Sequence, residues 1–238
     1  MGDGGNILTS SEIASQRIRS DLLSTLPPAL SRKLLAGERT LKLREGETLF
    51  ERGDAGDGCY WLRSGVLAVC VTSATGEQRI LAILGSGAIV GELAMIDGLP
   101  RSATVQALRD CELTFVSRAA FIEMLNQRPE LYTDIVMTLA ARLRQSDEDL
   151  AASSFLTVRA RVARALLQFA RQLGDDAGSG RVLIRHRMTQ SDLAAMAGVA
   201  RESVSRTLRV WQRQKIIEGS SRTGYIVHKT SLESAAAE

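Results

Sequence analysis

Two short stretches hold side chains that could do chemistry. The first is "GELAMIDGLPRSATV", residues 91–105. Glu92, the pair Pro100-Arg101 and Ser102 sit there among apolar residues, in a region otherwise patterned for β-structure. A buried carboxylate or guanidinium is costly unless it is paired or hydrogen-bonded. These groups are therefore either solvated loop or the two sides of a site that waits for a guest between them. The second stretch is "MTQSDLAAMAGVARESVSRTL", residues 188–208. Thr189 followed by Asp192 reads as an N-cap with an acidic third position. Leu193, Met196 and Ala197 form the inner face of that helix, and Gly198 suits a tight turn. A second helix turns Val204, Leu208 and Trp211 inward and Arg201, Glu202, Ser205, Arg206 and Arg209 outward. Arg can grip guanine O6 and N7 with two bonds, and Glu can accept from cytosine N4, both in the major groove.

The elements that must position these groups follow from periodicity. From Leu41 to near Arg118 the chain gives short alternating runs, Leu41/Leu43, Tyr60/Leu62, Val66/Ala68/Cys70 and Ile80/Ala82/Leu84, with glycine-rich turns between them. That pattern predicts a compact antiparallel roll or barrel. Residues 17–37 have helical spacing broken at Pro27-Pro28. The stretch from Asp134 to about Ser154 lacks Gly and Pro. Its apolar positions, Val136, Leu139, Leu143 and Leu150, fit a heptad seam interrupted by Ser146 and Asp147, which predicts a dimer helix. Another amphipathic helix follows Phe155, then a polar turn "GDDAGSG", and "GYIVHK" after Gly224 reads as a small β-wing.

The totals narrow the class. The 238 residues are 45% hydrophobic but only 4% aromatic, so the cores should be aliphatic. Net charge is +3 and unevenly spread. Residues 155–230 hold fourteen Arg/Lys against five Asp/Glu, or +9, which leaves −6 on the rest. A basic C-terminal third on an acidic body points to a polyanionic partner. No apolar run is long enough to span a membrane, and the N-terminus lacks the basic and apolar regions of a signal peptide, so a cytoplasmic location is expected. Cys59, Cys70 and Cys111 are odd in number and widely spaced, which argues against disulfides and metal clusters and for small buried residues. His186 and His228 are solitary, and no nucleophile–base grouping or metal triad appears, so no enzyme activity is expected.

The chain resembles the Crp/Fnr family of bacterial transcription regulators over about residues 40–230. "MTQSDLAAMAGVARESVSRTL" is similar to that family's DNA-binding motif, and "GELAMIDGLPRSATV" to its phosphate-binding cassette. The resemblance implies an α+β architecture: an N-terminal antiparallel β-roll that binds a cyclic nucleotide (1–130), a long dimerisation helix and hinge (131–157) and a C-terminal winged helix-turn-helix (158–238). It implies that Glu92 accepts from the ribose 2′-hydroxyl and that Arg101 pairs with the cyclic phosphate. Ser102 and the backbone around Gly91, Leu93, Ala94 and Ala103 add further contacts. The base is met on the long helix, at Arg142, Ser146 and Asp147, where the best-known activator has two hydroxyl residues. That departure keeps cGMP open beside cAMP, which the family favours. On the DNA side the implied residues are Thr189, Gln190, Arg201, Glu202, Ser203, Ser205, Arg206 and Arg209, read against a TGTGA-like palindrome by a homodimer, with RNA polymerase as a further partner. A member that binds DNA without a cyclic nucleotide, or that senses another small ligand, is the alternative. An iron–sulfur or haem sensor fits poorly, because the cysteines are not clustered near the N-terminus and both histidines lie outside the roll.

Overall fold

The structure is a computed structural model that describes residues 39–185, 188–221 and 223–237. The expectations for the N-terminal tail and its helices, and for His186, lie outside the described residues. Six antiparallel strands form the N-terminal roll: β1 (Thr40–Leu43), β2 (Thr48–Phe50), β3 (Gly58–Thr72), β4 (Gln78–Gly85), β5 (Ile89–Val90) and β6 (Thr104–Ser117). β6 pairs with β1, β2 and β3, while β4 and β5 both pair with β3. A short helix, α1 (Glu92–Asp97), lies between β5 and β6.

The alternating runs predict several short strands, but two of the strands are long. β3 spans 15 residues and β6 spans 14. Gly65, which reads as a turn, is instead a bend inside β3. Its φ of +100° is open to glycine at little cost. A Cβ there would also lie 2.6 Å from Cys111 Sγ. The register against β6 shifts around this point, as a β-bulge requires.

The bend gives β3 two buried faces. Leu62 and Leu67 fill the roll interior with Leu43, Val90, Val105 and Leu113. Val66, Ala68 and Cys70 point the other way, with Ile80 and Ile83 of β4. They join one apolar cluster with Val162, Leu166, Phe169, Leu193 and Trp211 of the C-terminal part. The Val66/Ala68/Cys70 alternation therefore marks a docking face rather than the roll's own interior. Both sides of the strand are hidden from water, which is why three consecutive residues, Val66, Leu67 and Ala68, are all buried.

Helices α2 (Arg118–Gln127) and α3 (Leu131–Phe155) follow. Leu131 and Ile135 anchor the start of α3 on Phe121, Leu125 and Met95. Beyond that anchor Val136, Met137, Leu143 and Leu150 are 60–68% exposed. The helix runs unbroken through Ser146 and Asp147, so the polar interruption belongs to its surface and not to its backbone. Leu156 and Thr157 are extended, ψ 145° and 157°, and separate α3 from the next helix where a hinge is expected. Thr157 Oγ1 then accepts from Ala160 N–H at 3.1 Å and starts α4 (Val158–Leu173).

The C-terminal domain continues with β7 (Gly174–Asp176), β8 (Arg181–Ile184), α5 (Gln190–Ala197), α6 (Arg201–Arg213), β9 (Ile217–Ser220), β10 (Gly224–His228) and α7 (Lys229–Ala236). Its sheet has the order β7-β8-β10-β9, so the wing is four-stranded. The polar turn at residues 174–180 opens a hairpin, with Gly178 and Gly180 at positive φ and Asp176 Oδ1 accepting from Gly178 N–H. Arg109 of β6 donates to the Leu173 carbonyl at 3.0 Å and ties the roll to the end of α4. No described helix is long and apolar enough to cross a membrane.

Cys70 lies in the face shared by the two domains and is 2% exposed. Burial first, then the carboxylate of Asp192, push its thiol from 9.0 to about 11. Its neutral form is thus favoured by the fold. The stability that this contributes is full below pH 9.0 and is lost as pH rises through about 11. Denaturant melts between pH 8 and pH 11 should show stability falling over that window, less steeply in Cys70→Ala. Equal slopes for the two proteins would contradict the assignment.

Candidate ligand cassette and nucleic-acid interface

The cassette is built by β5, α1 and the loop that enters β6. Gly91 caps α1 at φ 84° with no side-chain cap, and Gly98 ends it at φ 73°. Ala94 is buried beneath the helix; Leu93 is exposed and Glu92 half-buried. The loop then returns Arg101 to the roll. Its N–H donates to the Asp54 carbonyl, and its carbonyl accepts from Gly53 N–H, both at 2.9 Å. Ala103 is buried, whereas Ser102 is exposed.

Arg101 is only 4% exposed, yet its side chain is a guanidinium, the cation that proteins least readily neutralise. Nη1 donates to the Gly91 carbonyl at 2.7 Å. Nε is buried and has no hydrogen-bond partner among the described residues. No described carboxylate stands within ion-pairing distance of it. The guanidinium lies 4.4 Å from the Phe50 ring centre and 6.0 Å from that of Tyr60. Burial raises the Tyr60 hydroxyl above its ordinary 10.0, while Arg101 pulls it down. Two glycines make room for this arrangement. A Cβ on Gly91 would lie 2.5 Å from Nη1, and one on Gly56 would lie 3.2 Å from Cζ. A buried, unpaired guanidinium costs several kcal/mol unless an anion completes it, at about 1.5–3 kcal/mol per charge-assisted bond.

The other ligand candidates are on α3. Ser146 and Asp147 are exposed on that helix, and the Arg142 side chain lies outside the described residues. The cassette thus brings Gly91, Ala94 and Arg101 together, while Ser146 and Asp147 lie on the exposed surface of α3.

In the C-terminal domain the helix-turn-helix forms as its residues dictate. Thr189 and Asp192 make a full capping box. Thr189 Oγ1 accepts from Asp192 N–H at 3.1 Å, and Asp192 Oδ2 accepts from Thr189 N–H at 2.7 Å. Gly198 ends α5 at φ 61° and ψ 46°. In α6, Val204, Leu208 and Trp211 are buried. Arg201, Glu202, Arg206 and Arg209 are exposed, while Ser203 and Ser205 are half-buried. Gln190 is half-buried at the start of α5. The buried face of α6 is the one read from spacing, while Ser205, read as outward, is half-buried. On α5, Ala194 is buried, and Met196, read as inward, is half-buried. Among the described residues, no group of His, Cys, Asp and Glu is arranged to hold a metal ion.

Residues 40–128 match the cyclic nucleotide-binding domain family, and residues 160–234 match the Crp-like helix-turn-helix domain. The chain is also 34% identical over 193 residues to the cyclic AMP receptor protein of Thermus thermophilus, covering 81% of this chain and 85% of that one. The chain belongs to the Crp/Fnr family of transcription regulators. A second relative within the family, the CRP-like cAMP-activated global transcriptional regulator of Mycobacterium tuberculosis, is 29% identical over 208 residues, 85% of this chain and 91% of that one. A solved Crp/Fnr regulator from Thermus thermophilus superposes with a TM-score of 0.71 at 22% identity, covering 84% of this chain and 99% of that chain, and shares the fold.

Three groups near the sites escape sequence reasoning. Phe50 and Gly56 surround Arg101 from other strands and loops, with no spacing that links them to the cassette. Arg161 of α4 is the third. It donates through Nε to the Ala197 carbonyl at 2.9 Å, and through Nη2 to the Gly198 carbonyl, and so caps α5 from outside the motif. Burial, then the nearby Arg79, lower the Arg161 pKa below its ordinary value.

Arg79 of β4 brings its guanidinium against Gly198, so a Cβ there would collide with it. Gly198→Ala should cost about 1–2 kcal/mol from the left-handed backbone alone, plus the displacement of Arg79. In an Arg79→Ala background the cost should shrink toward the backbone value. Thermal or urea unfolding of the four proteins checks this, and strictly additive costs would contradict the contact.

Proposed function

We propose that this Crp/Fnr member is a homodimeric DNA-binding regulator controlled by a cyclic nucleotide held in the roll, with cAMP favoured over cGMP. One observation carries the reading: Arg101 is buried in the cassette with Nε unpartnered and no described carboxylate to neutralise it. A cyclic phosphate supplies one negative charge and several acceptor oxygens, which is the complement that this pocket lacks. In this reading Glu92 accepts from the ribose hydroxyl, Ser102 and the Ala103 backbone donate to the phosphate, and Arg142, Ser146 and Asp147 meet the base.

The dimer reading is supported by the exposed side of α3. A monomer would leave Val136, Leu143 and Leu150 in water along one helix, while a second copy of α3 would cover them as a two-helix seam. Ligand at Ser146 would then bias how the paired helices pack. The hinge at Leu156 and Thr157 would carry that bias to the winged helices. Two α6 helices one DNA turn apart, ~34 Å, would read a palindrome. Arg201, Glu202 and Arg206 are the proposed base readers of a TGTGA-like half-site. Thr189, Gln190, Ser203, Ser205 and Arg209 support them, with RNA polymerase as a further partner and the cytoplasm as the place of action. For the ligand to act as a switch it must bind the DNA-competent arrangement more tightly than the other.

Titration calorimetry with cAMP and cGMP tests the ligand. One nucleotide should bind the wild type, and Arg101→Gln should weaken it at least ~100-fold, the worth of two charge-assisted bonds. No heat from either nucleotide would remove the cyclic-nucleotide reading and leave a ligand-free DNA-binding protein. For DNA, Arg206→Ala should cost about 1–3 kcal/mol at the preferred site and relax its sequence preference. An equal loss on every sequence would assign Arg206 to the phosphates instead.

A further inference from the structure

We infer that Phe50 is a positioning residue for the ligand: its ring fixes the plane of the Arg101 guanidinium and so aims the donors that take the phosphate. This rests on the proposed cyclic-nucleotide reading and adds to it a residue outside the cassette. A guanidinium is planar and weakly hydrated, and it stacks on aromatic faces. The Arg101 Cζ lies over the Phe50 ring, 4.4 Å from its centre. The ring belongs to the end of β2, held in register opposite Val105 of β6.

Two further contacts complete the seat. Tyr60 of β3 stands beside Phe50, ring centres 6.1 Å apart, and packs in turn on Phe115 at 5.3 Å. Nη1 is pinned to the Gly91 carbonyl at 2.7 Å. With the ring beneath Cζ and one nitrogen tied down, rotation about the terminal bonds of Arg101 is restricted. Nε, buried and without a partner among the described residues, still has its N–H to donate in the guanidinium plane. An acceptor pair must enter along that plane, and a phosphodiester offers one with its two non-bridging oxygens. The same geometry explains two glycines at once. Gly91 and Gly56 border the seat, and side chains there would push the guanidinium off the ring. Preorganisation of this kind raises affinity by lowering the ordering cost of binding.

The test is a set of calorimetric titrations of cAMP and cGMP into the full chain, as wild type, Phe50→Leu, Phe50→Tyr, Arg101→Lys and the double variant Phe50→Leu/Arg101→Lys. Phe50→Leu keeps apolar bulk but loses the ring, and should weaken the nucleotide that binds wild type about ten-fold. Phe50→Tyr restores the ring and should bind within about three-fold of wild type. The ammonium that Arg101→Lys introduces is a point charge with no plane to align. Phe50→Leu should therefore add less than about two-fold in the Arg101→Lys background. The melting temperature of the ligand-free Phe50→Leu protein should stay close to wild type. Wild-type affinity in Phe50→Leu, or an equal loss in both backgrounds, would overturn the positioning role and leave the cyclic-nucleotide reading intact. Absence of binding by the wild type would overturn both, and so separates the two failures.

Discussion

The buried guanidinium of Arg101 is the constraint around which the described cassette is arranged. Arg101 is withdrawn from water, holds one carbonyl with Nη1 and leaves Nε without a partner among the described residues. Such a charge is tolerated only because the surroundings offset part of its desolvation. The Phe50 ring faces it, the Gly91 carbonyl accepts from it, and the backbone of residues 53 and 54 fixes its main chain on both sides. What remains is a buried Nε with no partner among the described residues.

The same roll is also the platform for the C-terminal domain. Bending β3 at Gly65 lets one strand serve two cores. One face closes the roll interior, and the other shares an apolar cluster with α4, α5 and α6. Arginines fasten the edges of that cluster. Arg109 reaches the end of α4, Arg161 caps α5, and Arg79 lies against the Gly198 turn. Thus β4, which pairs with β3, also touches α5, the helix preceding the recognition helix. The roll and the C-terminal domain therefore meet through β4 and α5 as well as being joined through α3 and the extended residues after it.

Much of this was legible in residue order because it is local. The capping box at Thr189 and Asp192, the turn at Gly198 and the two faces of α6 depend on neighbours three or four positions apart, and spacing records those. The unbroken α3 and the break at Leu156 followed from missing Gly and Pro and from the change of pattern after Phe155. Three features were not legible. The alternation in β3 marks the strand but not what Val66, Ala68 and Cys70 pack against, since periodicity marks a buried face without naming what buries it. The hairpin of β7 and β8 hid in a polar, glycine-rich stretch, because its hydrogen bonds are to backbone and leave little trace in side-chain type. The seat of Arg101 joins β2, β3 and two loops, a non-local arrangement that no short window contains.

On the proposed reading, Arg101 Nε donates to a phosphate oxygen of a cyclic nucleotide. A crystal structure of the protein grown with saturating cyclic nucleotide tests it most directly. A phosphate oxygen should lie within about 3 Å of Arg101 Nε, with the guanidinium still lying on the Phe50 ring. Density showing Nε taken by a protein carboxylate, and no nucleotide in the cassette, would contradict it.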